Sequence, residues 1–86
     1  MEPQMLRAYV LIETSAGKTK GVKKALGKVR PGKCAIQSVD AVTGPFDYIV
    51  VLEGPNLADI GQLVTDEIGA IDGVTRTTTC LAVAIG

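Results

Sequence analysis

The segment Phe46-Asp47-Tyr48-Ile49-Val50-Val51-Leu52-Glu53 decides the fold. From Tyr48 to Leu52 it is apolar without a break, so both alternating sets of side chains need cover, and such a strand belongs inside a sheet. Leu6 to Glu13 reads the same way, with Ala8, Val10 and Ile12 as one set and Tyr9 and Leu11 as the other. Two strands that are apolar on both faces need flanking strands beside them and layers above and below.

The flanks supply them. Ahead of the decisive strand, Thr43-Gly44-Pro45 is a turn, and residues 33–42 alternate less cleanly, with Ile36, Val39 and Val42 among Gln37, Ser38 and Asp40, as an edge strand with one wet side does. Behind it, Asn56 is placed to cap a helix with Asp59 at its third position, and Leu57, Ile60, Leu63, Val64, Ile68 and Ile71 recur at helical spacing over about 57–71. Asp72-Gly73 ends that helix. From Val74 a long last strand follows, with a bulky face (Thr77, Thr79, Leu81, Val83, Ile85) and a small one (Thr78, Cys80, Ala82, Ala84). After the first strand, Val22, Ala25, Leu26 and Val29 mark an amphipathic helix stopped by Pro31-Gly32.

The order is βαββαβ. Right-handed crossovers turn it into an α+β, ferredoxin-like fold, a four-stranded antiparallel sheet of order 4-1-3-2 with both helices on one face. The other face is then bare and apolar, which predicts a homodimer as the smallest stable species; Val10→Asp or Val50→Asp is expected to unfold the protein or leave it aggregated.

Composition narrows function by exclusion. A chain of 86 residues has room for one domain, 1–86, and its core comes from aliphatic side chains, since 47% of residues are apolar but only 3% aromatic. Nine basic residues against nine acidic ones remove the positive field that nucleic-acid binding needs. With no histidine, Ser-His and Cys-His nucleophiles are absent. Gly17-Lys18-Thr19 lacks the upstream glycine of a phosphate-binding loop, because Ile12 stands there. No carboxylate spacing suggests a metal, and no cofactor is expected. Cys34 and Cys80 are expected to be buried, reduced and unpaired. No leader-like succession and no apolar run of membrane-spanning length occur, which predicts a cytoplasmic protein with no membrane partner. Lys18, Lys20, Lys23, Lys24, Lys28, Arg30 and Lys33 occupy a stretch without an acid, which reads either as a solvated helix face or as a docking surface for an acidic partner.

The remaining candidate is Thr43-Gly44-Pro45-Phe46-Asp47, a turn that delivers a carboxylate to the start of a central strand. One reading is a hairpin in which Asp47 bonds turn amides. The other is a ligand site facing the threonines at 77–79, which are otherwise ordinary β-branched strand residues.

Gly17-Lys18 opening the first helix, Val42-Thr43-Gly44-Pro45-Phe46-Asp47-Tyr48, and Gly73-Val74 followed by Thr77 and Thr79 together resemble the effector-binding (RAM) domain of the leucine-responsive/AsnC regulators over residues 6–85. The resemblance implies a dimeric αβ sandwich that associates further into rings. It also implies a small effector, commonly an amino acid, at Thr43, Gly44, Phe46, Asp47, Thr77 and Thr79. Phe46 stands where the family commonly has tyrosine. The chain looks like a stand-alone version without a helix-turn-helix, a regulatory module that does not itself bind DNA and that could associate with full-length regulators. Two rivals are a purely structural or interaction oligomer and, on the same architecture, a small dimeric α/β-barrel enzyme.

Overall fold

In the computed structural model, which describes residues 5–85, the chain runs β1 (Leu6–Thr14), α1 (Thr19–Leu26), β2 (Ala35–Ala41), β3 (Tyr48–Gly54), α2 (Leu57–Leu63) and β4 (Val74–Leu81), with a π-helical turn (Val64–Ile68) continuing α2. The expected domain's outermost residues, 1–4 and 86, lie outside the described ones. The sheet order is β2-β3-β1-β4, all antiparallel, which is the predicted 4-1-3-2 read from the other edge.

Pairing parity assigns the faces. Ala8, Val10 and Ile12 lie opposite Leu52, Val50 and Tyr48, and this set is buried beneath Val22 and Leu26 of α1 and Ile60, Leu63, Val64 and Ile68 of the second helical segment. Each fully buried Val, Leu or Ile contributes about 1.5–3 kcal/mol. The opposite set, Tyr9, Leu11, Ile49 and Val51, meets no helix and stays partly or largely open. Val10 and Val50, each 0% exposed, therefore belong to the helix-side core, and a charge there tests that core and not the bare face. Two apolar sets of similar character gave the sequence no means of telling which faces the helices.

Other differences have local causes. The imperfect alternation of the second strand is a β-bulge: Ile36 pairs Leu52 and Ser38 pairs Val51, leaving Gln37 extra, so Ile36 and Val39, three apart, both pack on the core. The predicted strand from Phe46 begins at Tyr48, and the last strand ends at Leu81 instead of running to Ile85, although the Ala82 N–H still donates to the Arg7 carbonyl at 2.9 Å. The second helix is α-helical only to Leu63. A π turn then closes with the Gly69 N–H donating to the Val64 carbonyl at 2.6 Å, and the helical segment ends at Ile68, short of Ile71, which packs on the core from outside any helix. The first helix likewise stops at Leu26, leaving Val29 half-buried in the following segment.

Both cysteines are free, but only Cys34 is buried. Cys80 is exposed, contrary to expectation, because it pairs with Tyr9 and so lies on the bare face of the sheet.

Candidate functional site

The turn between β2 and β3 is short of regular pairing and needs other fastening. The Val42 N–H donates to the Asp47 carbonyl at 3.0 Å, and the Asp47 N–H donates to the Ile12 carbonyl at 2.8 Å, which fixes the turn to the end of β1. Gly44 has φ +111, a left-handed conformation in which a side chain is strained. Thr43, Gly44 and Pro45 are exposed, whereas Phe46 and Asp47 are half-buried.

The Asp47 carboxylate is held by a residue 33 positions earlier. Its Oδ2 accepts from the Thr14 N–H at 2.8 Å and from the Thr14 hydroxyl at 2.9 Å. Thr14 Oγ1 also lies 2.9 Å from Thr19 Oγ1. Because the Thr14 proton goes to the carboxylate, the Thr19 hydroxyl donates to Thr14, giving a directed chain Thr19 to Thr14 to Asp47. The Tyr48 hydroxyl donates to the Thr19 carbonyl at 2.9 Å, which ties the start of α1 to the start of β3. Both bonds to Asp47 converge on Oδ2, and Oδ1 takes part in neither. The bracing is thus across the sheet end, and not to turn amides as the hairpin reading had it.

Thr77 pairs with Ile12, which on its other side pairs with Tyr48, so Thr77 lies at the same end of the sheet as Asp47, about 10 Å across it. Thr79 pairs with Val10, roughly 7 Å further along the strand. Thr77 is half-buried and Thr79 exposed, on the helix-side face. The structure therefore brings Thr43, Gly44, Phe46, Asp47 and Thr77 to one end of the sheet, with Thr79 one step inward. They form an open ledge, and a single chain does not enclose it. Thr14 and Thr19 join it unforeseen. Their signal was topological: the antiparallel order sets the end of the first strand beside the start of the third.

A cleft of about 350 Å³ lies elsewhere, lined among others by Arg30, Lys33, Asp59, Asp66 and Glu67. Two other local effects follow from charge and burial. Burial, and next the nearby Asp59, push the Cys34 thiol upward. Lys18 and Asp72, 2.8 Å apart, raise the ammonium and lower the carboxyl, mainly through their hydrogen bond. Among the described residues, no cluster of three or more Cys, Asp or Glu could hold a metal, and no helix is long and apolar enough to cross a membrane.

Comparison with known proteins adds the family. The chain is 34% identical over 44 residues to the uncharacterized HTH-type transcriptional regulator YugG of Bacillus subtilis (strain 168), a match covering 51% of this chain and 26% of that one. The chain thus spans about a quarter of this curated relative. TTHA0845 of Thermus thermophilus superposes with a TM-score of 0.81 at 27% identity, over 95% of this chain and 98% of that one. The transcriptional regulator NMB0573 of Neisseria meningitidis, solved as a complex with L-Met, shares the fold at a TM-score of 0.74 and 19% identity, over 92% of this chain and 50% of that one. A family model, the Lrp/AsnC ligand binding domain, matches residues 7–85. With that match spanning nearly the whole chain and the sheet order and helix placement agreeing, the chain belongs to the Lrp/AsnC ligand binding domain family.

Proposed function

We propose that this chain is an effector-binding and assembly module of transcriptional or metabolic regulation, taking an amino acid or similar small metabolite. In this reading it is cytoplasmic, neither an enzyme nor itself a DNA-binding module, and it works as a homodimer that associates into a ring or with full-length regulators of its family. The observation that carries the reading is the Asp47 carboxylate, fixed through Oδ2 by Thr14 with Oδ1 outside both bonds, beside the exposed Thr43-Gly44 turn. An α-ammonium suits the carboxylate, while hydroxyls of Thr77 and Thr79 and turn amides suit an α-carboxylate. The neighbour solved with L-Met supports the ligand class. The open form of the ledge supports a site that a second copy completes. The Tyr9, Leu11, Ile49 and Val51 face supports the dimer.

A purely structural role is favoured by one fact, that both hydrogen bonds to Asp47 are internal braces. A thermal-shift screen against the amino acids separates the two. A ligand at a hundred times its Kd stabilises the folded form by about 2.7 kcal/mol, and each 1 kcal/mol is about 4–8 °C for a domain this small. Melting that no amino acid moves would leave the structural reading standing.

A further inference from the structure

The charges that cancel over the whole chain are sorted between the two helical segments. Residues 14–39 contain seven Lys and Arg and no acid, whereas residues 54–75 contain Asp59, Asp66, Glu67 and Asp72 and no base. The two segments are neighbours in one layer. The Arg30 N–H donates to Glu67 Oε1 at 3.1 Å, Lys18 Nζ meets Asp72 at 2.8 Å, and the 350 Å³ cleft has Arg30 and Lys33 on one side and Asp59 and Asp66 on the other. Between these junctions, Lys20, Lys23, Lys24 and Lys28 on the α1 side and Asp66 on the α2 side are exposed and enter none of the ion pairs among the described residues.

We propose that the outer surface of this helix layer is a self-complementary docking surface whose occupant is a second copy of the chain, held by charge. A twofold axis lying in the contact plane, along the groove between the helices, carries α1 of one copy over the acidic segment of the other and repeats the contact in reverse, so the basic-to-acidic pairing is made twice. A polyanion fits this surface less well, because the acidic helix lies beside the basic one and the chain has no net positive charge. A second observation agrees with close approach. Gly21 and Gly61 lie exposed in α1 and α2, each with open space where a Cβ would project, although glycine costs helix stability relative to alanine. This association uses the opposite side of the molecule from the bare sheet face, so the two can coexist and fail separately.

Sedimentation velocity of the full chain at about 50 and 500 mM salt tests it, since screening shortens from roughly 14 Å to 4 Å over that range. The expected result is a species larger than the sheet-face assembly at low salt that loses one level of association at high salt. K20E/K24E and D59K/D66K are each expected to lose that level at low salt while remaining folded by circular dichroism, and an equimolar mixture of the two to regain it. The proposal is overturned by low-salt assembly that is absent or unchanged at high salt, or by a mixture that fails to reassociate. Wild-type chain that binds heparin at 150 mM salt without self-associating likewise overturns it. A failed sheet-face dimer would instead appear as monomer at high salt and leave this inference intact.

Discussion

At the scale of single residues, Asp47 braces the sheet end and, in the proposed function, also anchors the ligand's ammonium, and substitutions can separate the two. Asp47→Asn keeps an oxygen able to accept from the Thr14 N–H and hydroxyl, so melting of the free protein should change little, while loss of the charge should weaken an ammonium ligand some 10- to 150-fold, about 1.5–3 kcal/mol. Asp47→Ala removes the acceptor from a half-buried N–H and should lower stability by about 1–3 kcal/mol. Calorimetric titration alongside melting measures both, and undiminished affinity in Asp47→Asn would remove Asp47 from the site. Cys34 offers a second test. Its thiol is raised by burial, so it should resist alkylation at pH 8 while exposed Cys80 reacts, read by mass. The sign for stability follows: a raised folded-state pKa contributes stability below the unfolded thiol value near 8.5 that is lost as pH rises through the folded value. Gly54 leaves no room for a methyl, since a Cβ would stand 2.7 Å from Ile60 Cγ1 and 2.8 Å from Cys34 Sγ, so Gly54→Ala should cost about 1–3 kcal/mol in a denaturant melt.

At the scale of elements, legibility followed the range of the interaction that fixes each one. The Asn56 cap was readable because its partner, the Asp59 N–H at 2.8 Å, lies three residues away. Asn56→Ala should cost about 1 kcal/mol, visible as a lower Tm. The π turn after Leu63 was not readable, since Val64 and Ile68 suit an α-helix as well and only packing on the sheet selects the wider turn. Gly69 follows it, where a Cβ would lie 3.1 Å from the Val64 carbonyl oxygen. The candidate site divides in the same way: Gly44 and Asp47 announce a turn locally, whereas Thr14 and Thr19 enter only through contacts that no single window of sequence contains. The bulge at Gln37 was present in the sequence as broken alternation, without the pairing needed to name it.

At the scale of the whole molecule, the parity of two strands sets the test of assembly. Leu11→Asp puts a charge on the bare face, opposite Ile49 and Thr78, and should give a folded but dissociated protein by light scattering and circular dichroism. Val10→Asp buries an unpaired carboxylate in the core and should unfold it. Identical behaviour of the two would contradict the assignment of faces. The bulge at Gln37 has a consequence at this scale too. It lies in β2, one of the two rim strands, where a straight backbone would offer a ladder of vacant donors and acceptors to any passing chain. The extra residue bends that rim and breaks its ladder, so joining sheet to sheet end on end is disfavoured. Self-association is thereby turned toward the faces of the sheet and away from edge-to-edge growth into a cross-β filament.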